Sequence, residues 1–384
     1  MTVPTSVRLA RAYLSMVAEP PAPALCAFVA SVGPVRAAAL VRRGEVPTPV
    51  ASETNARRTV ERAEHDLRAA EAVGARLLVP EDVDWPAAAF HAFELSGHPH
   101  LAAPVALWVR GPARLNELTE RSVAIVGARA ATPYGHGVAN TLGYGVARLG
   151  GTVFSGAAFG IDAAAHRGAL AADGLTVAVL ARGVDRPYPA AHHRLIEHIA
   201  ERGLVVSEYP PGAVPARHRF LVRNRIIAGL AGGTVVVEAG WRSGARRTAS
   251  DAALLGRPLM AVPGPVTSAL SVGCHRLLRE PGTIAVTSAE EVLEEVGRIG
   301  GDLAPLVVPG DLPRPTDRLS PIELRVHEAL RDGRGTELSR LGVECGLPPE
   351  LVRAALVGLE RAGLADRDRA GWRLREGGER RGDA

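Results

Sequence analysis

The densest chemistry in this sequence lies in Arg217-His218-Arg219-Phe220-Leu221-Val222-Arg223-Asn224-Arg225. Arg217, Arg223, Asn224 and Arg225 around one aromatic, Phe220, at helical spacing offer guanidinium charge that can follow a phosphate backbone. The ring can stack on a base, and that pairing serves single-stranded nucleic acid. A solvated basic helix face is the plainer alternative. The apolar Ile226-Ile227 and the strand signal at Thr234 argue against it, because they press the segment onto a sheet.

Three further segments have the composition of anion-binding turns. In Ile125-Val126-Gly127-Ala128-Arg129, glycine lets a phosphate approach the backbone, the next helix N-terminus attracts it, and Arg129 adds a bidentate donor. The spacing is not GxGxxG and no acid stands where a ribose would need one, which disfavours a dinucleotide. The second segment is Ser155-Gly156-Ala157-Ala158-Phe159-Gly160-Ile161-Asp162, and it runs on to His166. Asp162 and His166 stand at i and i+4 and share a helix face, so a hydrogen-bonded pair bracing the loop is expected. A catalytic dyad or a metal pair lacks a nearby third ligand or nucleophile. The third segment, Arg242-Ser243-Gly244-Ala245-Arg246-Arg247-Thr248, sets small hydroxyls and glycine at another helix start. Gly127, Gly160, Glu208, Thr248 and the Gly264 turn are expected to brace these loops.

Ligands on an open parallel sheet lie beyond the carboxyl ends of its strands, and the surrounding pattern supplies such a sheet. Short β-branched runs at Val123–Val126, Thr152–Phe154, Thr176–Leu180, Leu204–Val206, Thr234–Val237 and Pro258–Val262 alternate with helical stretches. Their continuous apolarity implies a sheet covered on both faces. The expected fold class is α/β, an extended Rossmann-like parallel sheet, with a small helical N-terminal domain and a C-terminal winged-helix-like domain. The expected divisions are 1–73 helical, 74–299 Rossmann-like with its lead-in, 300–318 linker, 319–376 winged-helix-like and 377–384 tail. Within the lead-in, Gly74–Gly111 reads as a connector that ends in a strand at Val105–Val109. In the C-terminal part, helices are expected at Pro321–Arg331, Gly335–Cys345 and Pro348–Ala362, with Thr336 as an N-cap.

Composition narrows the chemistry. All 45 basic residues are arginine, so the chain has no Walker A lysine and no lysine to hold pyridoxal phosphate. The 3 cysteines are too few and too scattered for a disulfide framework or a CxxC knuckle. No apolar run reaches the ~18 residues of a membrane span, so a cytoplasmic protein without membrane attachment, cofactor or metal is expected. Net charge is only +4, and any nucleic-acid case rests on where the arginines sit.

The segments resemble, in order, those of the DNA-processing protein A (DprA, also called Smf) family. The resemblance rests on GAR at Gly127–Arg129, SGAAFGIDAAAH at Ser155–His166, Gly183–Pro189, Ser207–Pro210, RNRIIAGL at Arg223–Leu230, VVVEA at Val235–Ala239, SGARRTA at Ser243–Ala249 and AVPG at Ala261–Gly264. It implies a non-enzymatic recombination mediator that binds single-stranded DNA, dimerises and helps load a RecA-type recombinase in DNA uptake. It also implies a pocket of Arg129, Ser155, Gly156, Arg217, Phe220, Arg223, Asn224 and Ser243, in which Arg129 and Arg217 hold phosphates and Phe220 stacks. Gly244 and Arg225 join it from the segments above. Leu221 departs from the family's usual proline, and His275 from its usual asparagine.

Two rivals stand beside this reading. Gly232-Gly233-Thr234 with Glu238 faintly resembles the motif of nucleoside-monophosphate phosphoribohydrolases, in which a carboxylate stabilises charge on the ribose. A duplex-DNA or protein adaptor could act through the C-terminal helices, although the third of them offers only Arg353 and Arg361 at exposed positions.

Overall fold

The computed structural model describes residues 3–297, 316, 319–331 and 335–375. The linker expected at 300–318 (Thr316 apart) and the tail expected at 377–384 lie outside the described residues. The chain divides into two units, Met1–Pro305 and Leu306–Ala384.

Five helices come first: α1 (Thr5–Val17), α2 (Pro23–Val32), α3 (Pro34–Arg43), α4 (Thr48–Thr54) and α5 (Ala63–Glu71). Proline opens α2 and α3 and stands second in α4, where its missing N–H has no intrahelical partner to lose. The five share a core with the sheet that follows. Tyr13, Leu14, Leu25 and Val41 pack in one cluster with Leu77, Trp108, Ala178 and Leu180. Arg8–Asp82 at 2.8 Å and Arg11–Glu81 at 2.7 Å pin α1 to the turn that follows the first strand of the sheet.

The sheet has nine strands among the described residues. They alternate with further helices in the order β1 (Ala75–Leu78), α6 (Ala87–Ser96), β2 (Leu107–Arg110), α7 (Leu115–Leu118), β3 (Ser122–Val126), α8 (Pro133–Arg148), β4 (Thr152–Ser155), α9 (Ile161–Ala171), β5 (Thr176–Leu180), α10 (His193–Arg202) and β6 (Leu204–Ser207). Then come α11 (Arg217–Leu230), β7 (Gly233–Val236), α12 (Ala245–Leu254), β8 (Leu259–Ala261), α13 (Val272–Leu277), β9 (Thr283–Ala285) and α14 (Ala289–Val296). The spatial order is β1-β2-β6-β5-β4-β3-β7-β8-β9. Every pairing from β6 to β9 is parallel, as the apolar runs imply. Val123 and Ile125 pack under α8, α9 and α14, while Ala124 and Val126 pack under α6, α11 and α12. Each face of the sheet is therefore buried. No helix among the described residues is long and apolar enough to cross a membrane.

The stretch expected to be a connector differs. It holds β1 and α6, and β1 and β2 form an antiparallel edge on β6. β1 is Ala-Arg-Leu-Leu, without a β-branched residue to mark a strand, and its ladder to β2 supplies the order that local propensity does not. The three-residue edge strand β9 was not expected either.

The second unit contains α15 (Pro321–Ala329), α16 (Leu338–Cys345), α17 (Pro349–Arg361) and an antiparallel hairpin of β10 (Ala365–Asp368) and β11 (Gly371–Leu374). Val326, Leu341, Val352, Leu356 and Leu359 form its core. Ser320 and Glu323 close a capping box on α15. Thr336 is not the N-cap expected of it. It bridges Trp372 of β11, and Glu337 starts α16 without a side-chain cap.

Candidate nucleic-acid interface

The chain runs from β3 through β4, β5 and β6 on one side, then returns to β7 on the other. The loops leaving β3 and β7 therefore part, and a crevice opens between them. A cleft of about 570 Å³ lies there. Its walls are Gly127–Ala130 after β3, Ala158 after β4, Gly240 and Arg242–Ala245 after β7, and one flank of α11.

Arg129, Arg217 and Arg242 reach this cleft with exposed side chains. The Arg129 guanidinium carbon stands 5.0 Å from the Phe220 ring centre, and Tyr188 meets the same ring at 5.6 Å. Asn224 Nδ2 donates to the Gly244 carbonyl at 3.5 Å and ties α11 to the loop after β7. Ser243 Oγ accepts from the Ala245 N–H at 3.3 Å, at the start of α12. Asp162 is the one acid in the lining, and it is buried. The cleft presents cations and a ring to anything that enters.

Other residues expected at the interface act chiefly to hold it, Arg223 in its lining with Asp162, and Ser155 and Gly156 behind. Arg223 is 5% exposed, and its Nη1 donates to the carbonyls of Val179 and of Gly156, the latter at 3.0 Å. Burial pulls its pKa down to about 10, against the neighbouring Asp162 charge that raises it. Asp162 takes the N–H groups of Gly156 at 3.1 Å and Ala158 at 3.4 Å. Burial raises the Asp162 pKa, and Arg223 opposes that rise. Ser155 is fully buried, with its hydroxyl donating to the Ile125 carbonyl at 2.6 Å. Gly156 is part of this support and is absent from the lining. A β-carbon there would overlap the Arg223 guanidinium.

Arg225 departs furthest from its expected place. It is 2% exposed, points away from the cleft, and gives Nη2 to both Glu208 oxygens at 2.6 and 2.7 Å. In this geometry its charge is spent on Glu208 and reaches no phosphate. Residues 217, 220 and 224 fall on one flank of α11, while 218, 222 and 225 fall on the other.

The Asp162–His166 pair also differs from expectation. His166 Nδ1 sits 2.7 Å from Thr176 Oγ1, which donates its own proton to the Val153 carbonyl at 2.7 Å. The imidazole must then carry hydrogen on Nδ1. Full burial takes its pKa down to about 3, so it is a neutral core residue.

The glycines act by close approach. A β-carbon on Gly127 would lie 2.8 Å from the Glu238 carbonyl oxygen. Gly160 has φ +78°, and a β-carbon there would fall 2.6 Å from the Arg129 carbonyl oxygen. Gly160→Ala is expected to destabilise the large unit by about 1–3 kcal/mol, read by urea unfolding. An unchanged midpoint would show that the Ala128–Arg129 loop gives way freely. Thr248 is buried in the cleft floor, and the Gly264 carbonyl accepts from His275 Nε2 at 2.9 Å, away from the cleft. Arg242 and Tyr188 had no assigned role in the sequence, since only the packing of separate loops brings them to Arg129 and Phe220.

A family model described as DNA recombination-mediator protein A matches residues 76–297. A chain of Mycobacterium tuberculosis bearing the name DNA processing protein DprA is 50% identical over 373 residues, covering 96% of this chain and 94% of that one. The DNA processing protein DprA of Streptococcus pneumoniae is 43% identical over 201 residues, which is 50% of this chain and 67% of that one. The X-ray structure of DNA processing protein A from Streptococcus pneumoniae superposes with a TM-score of 0.62 at 30% identity, covering 78% of this chain and all of that one.

Proposed function

The chain belongs to the DNA recombination-mediator protein A (DprA/Smf) family, and on that premise we propose that its cleft binds single-stranded DNA. The protein would protect incoming DNA and help a RecA-type recombinase load onto it, acting as a homodimer and not as an enzyme. One observation carries the reading: three exposed guanidiniums line one cleft at the sheet's switch point together with a half-buried ring, which Arg129 faces at 5.0 Å. Phosphates would lie on Arg129, Arg217 and Arg242, and a base on Phe220. The divisions read from sequence enter the same proposal. The winged-helix-like part, 319–376, would serve a partner or a spacer role, and the helical part, 1–73, would support α11.

The phosphoribohydrolase reading lacks its acid. Glu238 is 1% exposed, and its carboxylate accepts from the Thr132 N–H at 2.9 Å and the Thr132 hydroxyl at 2.6 Å. It holds Thr132, the N-cap of α8, and does not line the cleft.

Fluorescence anisotropy with single-stranded and duplex oligonucleotides across salt tests the proposal, with purified recombinase added afterwards. Single strands are expected to bind more tightly, with log K falling by ~0.7 per phosphate contact against log salt. Recombinase filaments should then form faster on the bound strand. Equal or tighter duplex binding, or no dependence on salt, would overturn the assignment. Free base released from AMP at an ordinary turnover rate would favour the enzyme instead.

A further inference from the structure

Trp241 stands between Gly240 and Arg242, both of which line the cleft, and it is 58% exposed. Tryptophan is highly buried on average, so an indole mostly in water beside a binding cleft calls for a reason. The backbone here is held, because Arg246 Nη1 donates to the Trp241 carbonyl at 3.1 Å. From α13, Arg276 sets its guanidinium carbon 5.0 Å from the indole centre. Its other charged neighbour, Glu280, is 3.8 Å away, and both partners of that pair are half-exposed. The indole thus has a cation at its face and most of its surface open.

The surrounding charge identifies the occupant. Arg276 faces this ring, Arg246 holds the Trp241 carbonyl, and Arg242 follows Trp241 in the chain and lines the cleft. Cations set about an aromatic platform suit a polyanion that carries π faces. A second copy of the chain meeting itself at this patch would bring the same cations to the same place.

We propose that Trp241, backed by Arg276, is a second base-stacking platform of the single-stranded DNA site. It receives a base from the strand whose neighbouring base lies on Phe220. Tyr188, 41% exposed and in ring contact with Phe220, widens the first platform. This inference rests on the DNA-binding reading of the cleft and extends the strand's path along the loop after β7.

The test uses the full chain and its own fluorescence during titration with a long oligothymidylate. Trp85 and Trp108 are buried at 9% and 0% exposure, and Trp372 belongs to the second unit, so Trp241 should carry the signal. Wild-type emission is expected to be quenched as the oligonucleotide binds. Trp241→Ala should lose most of that quench and raise Kd by about 5- to 100-fold, the range that a stacked base contributes. Trp241→Phe should lose the quench but stay within about threefold of wild-type affinity, because a smaller ring still stacks. Both variants should unfold at the wild-type temperature.

Wild-type affinity in Trp241→Ala, with binding lost in an Arg129→Ala/Arg217→Ala protein, would overturn the platform and leave the cleft in place. No binding of wild type to any single strand would overturn both. A change in sedimenting mass of Trp241→Ala without a change in affinity would make the indole an interface between copies, and that too would overturn the platform.

Discussion

Arg225→Ala is expected to destabilise the large unit by about 3–5 kcal/mol, the usual effect of stranding one member of a buried ion pair. Glu208, 7% exposed in the native fold, would be left with its carboxylate facing the space vacated by the guanidinium. Burial already raises its pKa, and only Arg225 opposes that rise strongly. Urea unfolding followed by circular dichroism reads the loss. An Arg225→Met/Glu208→Leu protein should recover most of it, since apolar side chains of similar volume often replace a buried pair at little cost. At a temperature where Arg225→Ala stays folded, its single-strand affinity should remain within about threefold of wild type. A tenfold or greater loss of affinity with stability unchanged would return Arg225 to the phosphate-binding set. Arg223→Ala should also lose stability, because Asp162 and the carbonyls of Gly156 and Val179 depend on it, but Arg223, unlike Arg225, lines the cleft as well.

Arg129→Ala/Arg217→Ala is expected to do the opposite, with little effect on stability and a large one on DNA. Neither side chain is buried, and their one described ring contact is that of Arg129 with Phe220. A hydrogen bond to a charged group contributes about 1.5–3 kcal/mol, so each replacement should weaken single-strand binding by roughly tenfold or more. Two lost phosphate contacts should also flatten the slope of log K against log salt by about 1.4. The loss should be equal on all base sequences, since phosphates carry no sequence information. Wild-type affinity and an unchanged slope would show that the strand does not pass through this cleft.

The two results together separate arginines that look alike in the sequence. Segment 217–225 places four of them within nine positions, and at 100° per residue such a run points in every direction. Periodicity marks the helix, and its chemistry points to a polyanion with bases as the class of ligand. It does not say which flank meets a cleft and which meets Glu208. The His166 expectation failed for a related reason. The i, i+4 rule identifies a neighbour along the helix, and Thr176 of β5 offered a better partner across the sheet.

By itself the sequence determined the parallel sheet, the positions of its glycine turns and the family. These rest on local properties: β-branched runs, the steric freedom of glycine at strand ends, and motifs in fixed order. The tertiary structure alone decided which side chains share the cleft. It brought Arg242 and Tyr188 to Arg129 and Phe220, turned Arg223 inward where Gly156 leaves room, and sealed Arg225 with Glu208. Those choices depend on contacts between loops tens of residues apart, and hydrophobic pattern carries no record of them.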